Sequence, residues 1–173
     1  MAFEHNTQNI KSGVALAGRD ISARRAATIA NMIAEAEKRG IDDAFARDAI
    51  GKYGADNAEA FRATMKDADD FSEFADNFGT DHNKEIFEME ILEKTDEKLS
   101  IDFHYCPYVT EWVKQGYSPE EIAHLCDITM EGDREFAKKF PNLKFELQGT
   151  IADGLPVCKL RFTKIEETIP NFV

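Results

Sequence analysis

The chain has 173 residues, enough for a hydrophobic core without disulfide staples, and its 43% hydrophobic and 31% charged content is that of an ordinary globular protein. Its 21 basic and 33 acidic residues leave a net charge of −12, which repels nucleic acid and anionic membranes, and no basic cluster overrides that average. No stretch approaches the ~18 apolar residues of a membrane helix, and residues 1–6 lack the basic and apolar segments of a secretion signal, so a cytoplasmic location with three reduced cysteines is expected.

Residues 1–12 are polar and are expected to fray. The stretch Lys11 to Gly18 holds two glycines but lacks the Gly-Lys-Ser/Thr ending of a phosphate-binding loop, and no strand precedes it, so it reads as the lead-in to a helix. That first helix is expected from Asp20 or Ser22 to Arg39, with Ile21, Ile29, Ile33 and the alanines between them forming an approximate helical stripe and Gly40 as its stop. A second helix, capped by Asp42 or Asp43, carries Phe45, Ala49, Ile50 and Tyr53 at helical spacing. Gly54 is expected to interrupt it, and Asn57 to cap a third segment with Ala60, Phe61 and Met65. An acidic piece pinned by Phe71, Phe74 and Phe78 follows, then a loop over residues 79–83. Residues 1–83 thus read as a helical half, and 84–173 as a mixed half of what is expected to be one domain.

The period then changes to two. Phe87, Met89 and Ile91 alternate with Glu88 and Glu90, and Leu99, Ile101, Phe103 and Tyr105 alternate with Ser100, Asp102, His104 and Cys106. The two runs, joined by a turn over residues 95–98, predict an antiparallel hairpin that ends at Cys106. Pro107 opens a short helix that Gly116 closes. Ser118-Pro119-Glu120-Glu121 is a capping box with proline at the first helical position, and the helix it starts is expected to run to Phe140. Leu143, Phe145 and Leu147, then Cys158, Leu160 and Phe162, predict two further strands. The order helices-ββ-αα-ββ implies an α+β fold, with the helical half packed on a four-stranded antiparallel sheet.

Chemistry concentrates around Cys106. Before Pro107 it occupies a helix N-cap, where unpaired amides and the helix dipole lower a thiol's pKa. On the strand pattern it shares a face with Asp102 and His104, which would place a base beside the thiol. The competing reading is a cysteine that packs as a small hydrophobe. Asp127 and Glu131 are four apart, and His124 and Asp127 three apart, so each pair shares a helix face. Paired carboxylates provide an acid and a base when their pKa values split; otherwise they form a solvated acidic face. Trp112 walls a pocket or belongs to the core. Arg161 is placed to hold a carboxylate or to pair across the sheet with Asp102. A metal site built from Cys106, Cys126 and His104 or His124 lacks the usual Cys-x-x-Cys spacing.

Taken together, Cys106-Pro107-x-Val109 with Trp112, Gly116-x-Ser118-Pro119-Glu120-Glu121-Ile122, Leu125-Cys126-Asp127-Ile128, Met130-Glu131-Gly132-Asp133 and Val157-Cys158-x-x-Arg161-Phe162 resemble the L-2-amino-thiazoline-4-carboxylic acid hydrolase family over about residues 100–165. An acidic residue often sits in that family where Thr110 stands here; the acid in this chain is Glu111, about 100° further round the helix. The resemblance implies a hydrolase that opens a cyclic amidine C–N bond in a small sulfur heterocycle bearing a carboxylate, giving a carbamoyl-cysteine. Cys106 is then expected to be the nucleophile that attacks the carbon between sulfur and nitrogen, or the primary polar contact of the site. His104, Asp127 and Glu131 are expected to move protons or orient water, and Trp112, Cys126, His124 and Arg161 to bind substrate, with no cofactor. The alternatives are a non-catalytic ligand-binding, metal-binding or sensory protein using the same pocket, and an interaction module presenting acidic helices.

Overall fold

The computed structural model describes residues 2–79 and 81–165. Helix α1 spans Gly13–Glu37 and starts well before the expected Asp20, because Ser12 is extended and its side chain accepts the Ala15 N–H at 3.0 Å. Helix α2 runs unbroken over Ala44–Arg62, through Gly51 and Gly54. Gly54 does not interrupt it. A Cβ there would lie 1.9 Å from the carbonyl oxygen of Gly132, so the glycine serves a close backbone approach. Helix α3 is Phe71–Asn77, capped by Asp70. The loop expected over residues 79–83 is largely helix, since α4 occupies Asp81–Phe87 and Phe87 is not in a strand.

Strands β1 (Met89–Lys94) and β2 (Lys98–Phe103) form the expected hairpin, with a bulge between Ile91 and Glu93. Strand β2 ends at Phe103, three residues before Cys106. Helix α5 (Pro107–Gln115) ends on Gly116 at φ 87, a left-handed cap that suits glycine. Helix α6 (Pro119–Thr129) begins with the Ser118/Glu121 capping box. The long helix expected up to Phe140 breaks at Met130, and α7 occupies Glu131–Ala137. The break sets Gly132 against Gly54. Strands β3 (Leu143–Leu147) and β4 (Cys158–Lys164) follow, with a 3₁₀ turn at Ile151–Asp153 between them.

The result is the α+β architecture that the alternation implies, with an antiparallel sheet in the order β1-β2-β4-β3. One core cluster joins Ala26, Ala30 and Ile50 of the first helices to Val109, Trp112 and Ile128. A second joins Phe71 and Phe74 to Leu99, Ile101, Leu160 and Phe162 of the sheet. Both clusters draw on both halves of the sequence. Among the described residues no helix is long and apolar enough to cross a membrane.

The N-terminal residues are tied down, contrary to the fraying expected of them. Buried Arg19 and Glu88 pair at 2.9 Å, and Glu88 also accepts the backbone N–H groups of Asn9 (2.6 Å) and Ile10 (2.9 Å). Arg19 in turn donates to the carbonyls of Ile10, Glu85 and Ile86. A run of polar residues is therefore strapped across the junction of α1, α4 and β1, because two buried charges need all of these partners.

Candidate active site

The strand-to-helix junction places Cys106 in extended backbone at the N-cap of α5. Its backbone is clamped by one side chain. Asn6 Oδ1 accepts the Cys106 N–H at 2.8 Å, and Asn6 Nδ2 donates to the Cys106 carbonyl at 3.0 Å and to Thr110 Oγ1 at 3.0 Å. Asn6 comes from the strapped N-terminal segment, so that segment orients the cysteine.

A cavity of about 400 Å³ opens between the helices and the inner face of the sheet, and Cys106 lines it together with Cys126 and Cys158. All three thiols are free and partly buried. Cys126 on α6 lies 3.9 Å from Thr150 Oγ1, and Cys158 Sγ accepts the Ile151 N–H at 3.3 Å. The cavity's polar lining includes Arg25 from α1, Tyr53 from α2, Tyr108 from α5 and Asp133 from α7, together with Asn57, Asn77, Asn83, Thr129 and Thr150. Arg25 stacks over the Tyr53 ring at 4.2 Å. Trp112 is fully buried and donates its indole N–H to the Ala26 carbonyl at 3.1 Å, so its ring is a fixed part of the wall.

The electrostatics differ from the helix-cap expectation. Burial pushes the Cys106 thiol up, and the first-turn amides of Val109 and Tyr108 oppose this without overcoming it. The Cys106 side chain closes no capping hydrogen bond. Burial also pushes Cys126 up to about 12 and raises Cys158, with Cys106 the next cause in each case. Burial therefore favours the protonated form of all three thiols, and a nucleophile there needs a base. Asp133 is exposed by surface area and lines the cavity, with protein packed densely about its carboxyl. Enclosure raises its carboxyl to about 6, and the positive charge of Arg25 is the largest opposing influence. A carboxyl in that range is suited to exchanging protons near neutrality.

Of the residues singled out in the sequence, the cavity gathers Cys106, Cys126 and Trp112. The others stand outside its lining. His104 follows the end of β2 rather than sharing a strand face with Cys106, and its Nε2 meets Glu90 at 2.8 Å near the surface. Asp127 is held by Arg134 at 2.6 Å and Arg47 at 2.9 Å, and Glu131 by the same arginines at 2.7 and 3.1 Å. Burial raises the Asp127 carboxyl, but hydrogen bonds from Arg134 and Arg47 outweigh it and leave the group below the usual range. These two carboxylates tie α2 to α6 and α7. His124 meets Asp43 at 3.0 Å in the same network. Arg161 is spent on the outer face of the sheet, on Asp102 at 2.8 Å and on the carbonyls of Ile101 and Leu160. Among the described residues no three His, Cys, Asp or Glu side chains are grouped so as to hold a metal ion.

Sequence reasoning missed Arg25, Asn6 and the role of Asp133. Asp133 lies inside the quoted Met-Glu-Gly-Asp run, but no local signal marks it: the glycine that admits the close approach of α2 and α7 is Gly54, far away in sequence. Arg25 carries no local mark.

No curated protein and no solved structure matches the chain. A family model described as L-2-amino-thiazoline-4-carboxylic acid hydrolase matches residues 21–162, a span that takes in most of the helical half with Arg25 and leaves Asn6 outside. On that match, which covers most of its length, the chain belongs to the L-2-amino-thiazoline-4-carboxylic acid hydrolase family.

Proposed function

We propose that the protein is a small-molecule hydrolase that opens a cyclic amidine C–N bond in a carboxylate-bearing heterocycle, with Cys106 as the reacting group. The observation that carries this reading is the meeting of three thiols, Asp133 and Arg25 in one cavity of about 400 Å³. Arg25 takes the substrate carboxylate, the role that Arg161 is too engaged to fill. Asp133 accepts the Cys106 proton, and the sulfur adds to the ring carbon between sulfur and nitrogen. Protonated Asp133 then returns its proton to the ring nitrogen as the C–N bond breaks, which leaves the carbon attached to Cys106. Water adds to that carbon, the bond to Cys106 breaks, and the carbamoyl product leaves with the thiol restored. One water is consumed per turnover.

The test is the rate of ring opening in Cys106→Ala and Asp133→Asn, with Cys126→Ala as the cavity control. Loss in the first two and retention in the control supports the assignment, and full activity in Cys106→Ala ends it. The upward push of burial on all three thiols favours a second reading, a ligand-binding protein without catalysis. Saturable binding of 2-amino-thiazoline-4-carboxylate with no turnover in the unaltered protein would select it.

A further inference from the structure

The cavity lining falls into two groups by packing. Arg25, Asp133 and Cys106 gather about Tyr108 on the side of the first core cluster, with Cys126 and Trp112. Phe61, Phe78, Phe136, Phe145, Leu147 and Phe162 line it on the side of the second, and Cys158 touches both. Pairing of Phe145 with Phe162 and of Leu147 with Leu160 turns β3 and β4 so that these side chains share the inner face of the sheet. Phe61, Phe78, Phe136 and Phe145 sit against the second core cluster but remain only partly buried. A close-packed core would cover such rings, so their open faces belong to the cavity. The wall is held by ring contacts, with centroids at 5.7 Å for Phe61 and Phe136, 4.8 Å for Phe78 and Phe162, and 5.0 Å for Phe145 and Phe162.

A volume of about 400 Å³ falls in the range that accommodates drug-sized ligands. A single five-membered ring with an amino group and a carboxylate is a fragment by comparison, and it has no use for an aromatic wall. We infer that the substrate class is a cyclic amidine carboxylate bearing an aryl-sized apolar substituent. The polar side takes the heterocycle and the phenylalanine side takes the substituent. The identity of the heterocycle rests on the proposed function, whereas the substituent rests on the cavity alone.

Trp112 is the only tryptophan and forms part of the cavity wall, so its emission reports binding directly. The full chain is titrated with 2-amino-thiazoline-4-carboxylate and with its 5-phenyl derivative. Burial of the phenyl group is expected to tighten binding roughly 10- to 100-fold. Leu147→Phe narrows the apolar side and is expected to lower affinity for the phenyl derivative more than for the unsubstituted ring, which reduces the ratio between them. Should Leu147→Phe fail to fold, as judged by circular dichroism, the ratio in the unaltered protein decides alone. Equal affinities, or tighter binding of the unsubstituted ring, overturn the inference. Ring opening is scored separately. Tight binding of the phenyl derivative without turnover upholds the aromatic subsite and refutes the hydrolase, and turnover of the unsubstituted ring with no gain from phenyl does the reverse.

Discussion

Gly54 and Gly51 lie one turn apart on the same face of α2, and replacing each by alanine separates backbone propensity from packing. Either change removes a helix-interior glycine, which by itself stabilises by about 0.5–1 kcal/mol. At Gly51 the new Cβ meets Glu135 Cγ at 3.0 Å, an atom of a flexible side chain that is able to move aside. At Gly54 it meets the Gly132 carbonyl oxygen at 1.9 Å, with the carbonyl carbon at 2.6 Å and Cα at 2.7 Å. Backbone does not step aside alone, so α2 and α7 must separate by roughly 1.5 Å to restore ordinary contact. Overpacking of this kind costs about 1–3 kcal/mol, and the opened interface adds lost burial. Gly51→Ala is expected to be neutral to stabilising. Gly54→Ala is expected to lose a net ~1–2 kcal/mol, or about 2–8 °C in Tm at this chain length. Because Asp133 adjoins Gly132, Gly54→Ala should also weaken binding at the cavity, read by Trp112 emission. Urea denaturation of the three proteins decides the matter. A Gly54→Ala protein as stable as Gly51→Ala would refute the close approach of the two helices.

Three further outcomes follow from the same geometry. Burial raises Asp133 to about 6, whereas the unfolded carboxyl ionises near 3.9. The cost of holding it charged is therefore absent below about pH 4 and complete above about pH 6, so Asp133→Asn should raise Tm more at pH 8 than at pH 4; an equal rise at both would contradict the enclosure. Glu88→Ala leaves Arg19 buried without its carboxylate and should destabilise by about 3–5 kcal/mol in denaturant titration, with a loss under 1 kcal/mol showing that the strap is not held by this pair. Asn6→Ala removes both hydrogen bonds that fix the Cys106 backbone, and it should cost about 1–2 kcal/mol and slow alkylation or turnover at Cys106 with little change in Tyr105 or Trp112 packing; unaltered stability and unaltered reactivity together would dismiss the clamp.

Local chemistry made parts of the fold readable in the sequence. Ser118 and Glu121 cap α6, Gly116 ends α5, and the alternation of Leu99, Ile101 and Phe103 marks β2, because each of these signals acts within a few residues. The misreadings arose where a distant contact decided the outcome. Gly54 continues a helix because Gly132 lies against it, and residues 6–12 are ordered because Glu88 and Cys106 bind them from across the chain. At the site, Cys106, Cys126 and Trp112 were legible as rare residues in a short span, and the cavity unites them. Asp127, Glu131 and His124 were chosen for sharing a helix face, but α2 presents Arg47 and Asp43 to that face and turns it into an ion-pair network. The inward acid is Asp133, and nothing short of the break at Met130 and the contact of α7 with α2 reveals it.

The proposed reaction of Cys106 with substrate inside the cavity has a simple readout. It is tested most directly by the rate of ring opening in Cys106→Ala beside the unaltered protein, on 2-amino-thiazoline-4-carboxylate and its 5-phenyl derivative, with Tm measured on the same samples. The rate in Cys106→Ala is expected to fall by about 10³-fold or more at an essentially unchanged Tm. A Cys106→Ala protein that opens the ring at the unaltered rate would contradict it.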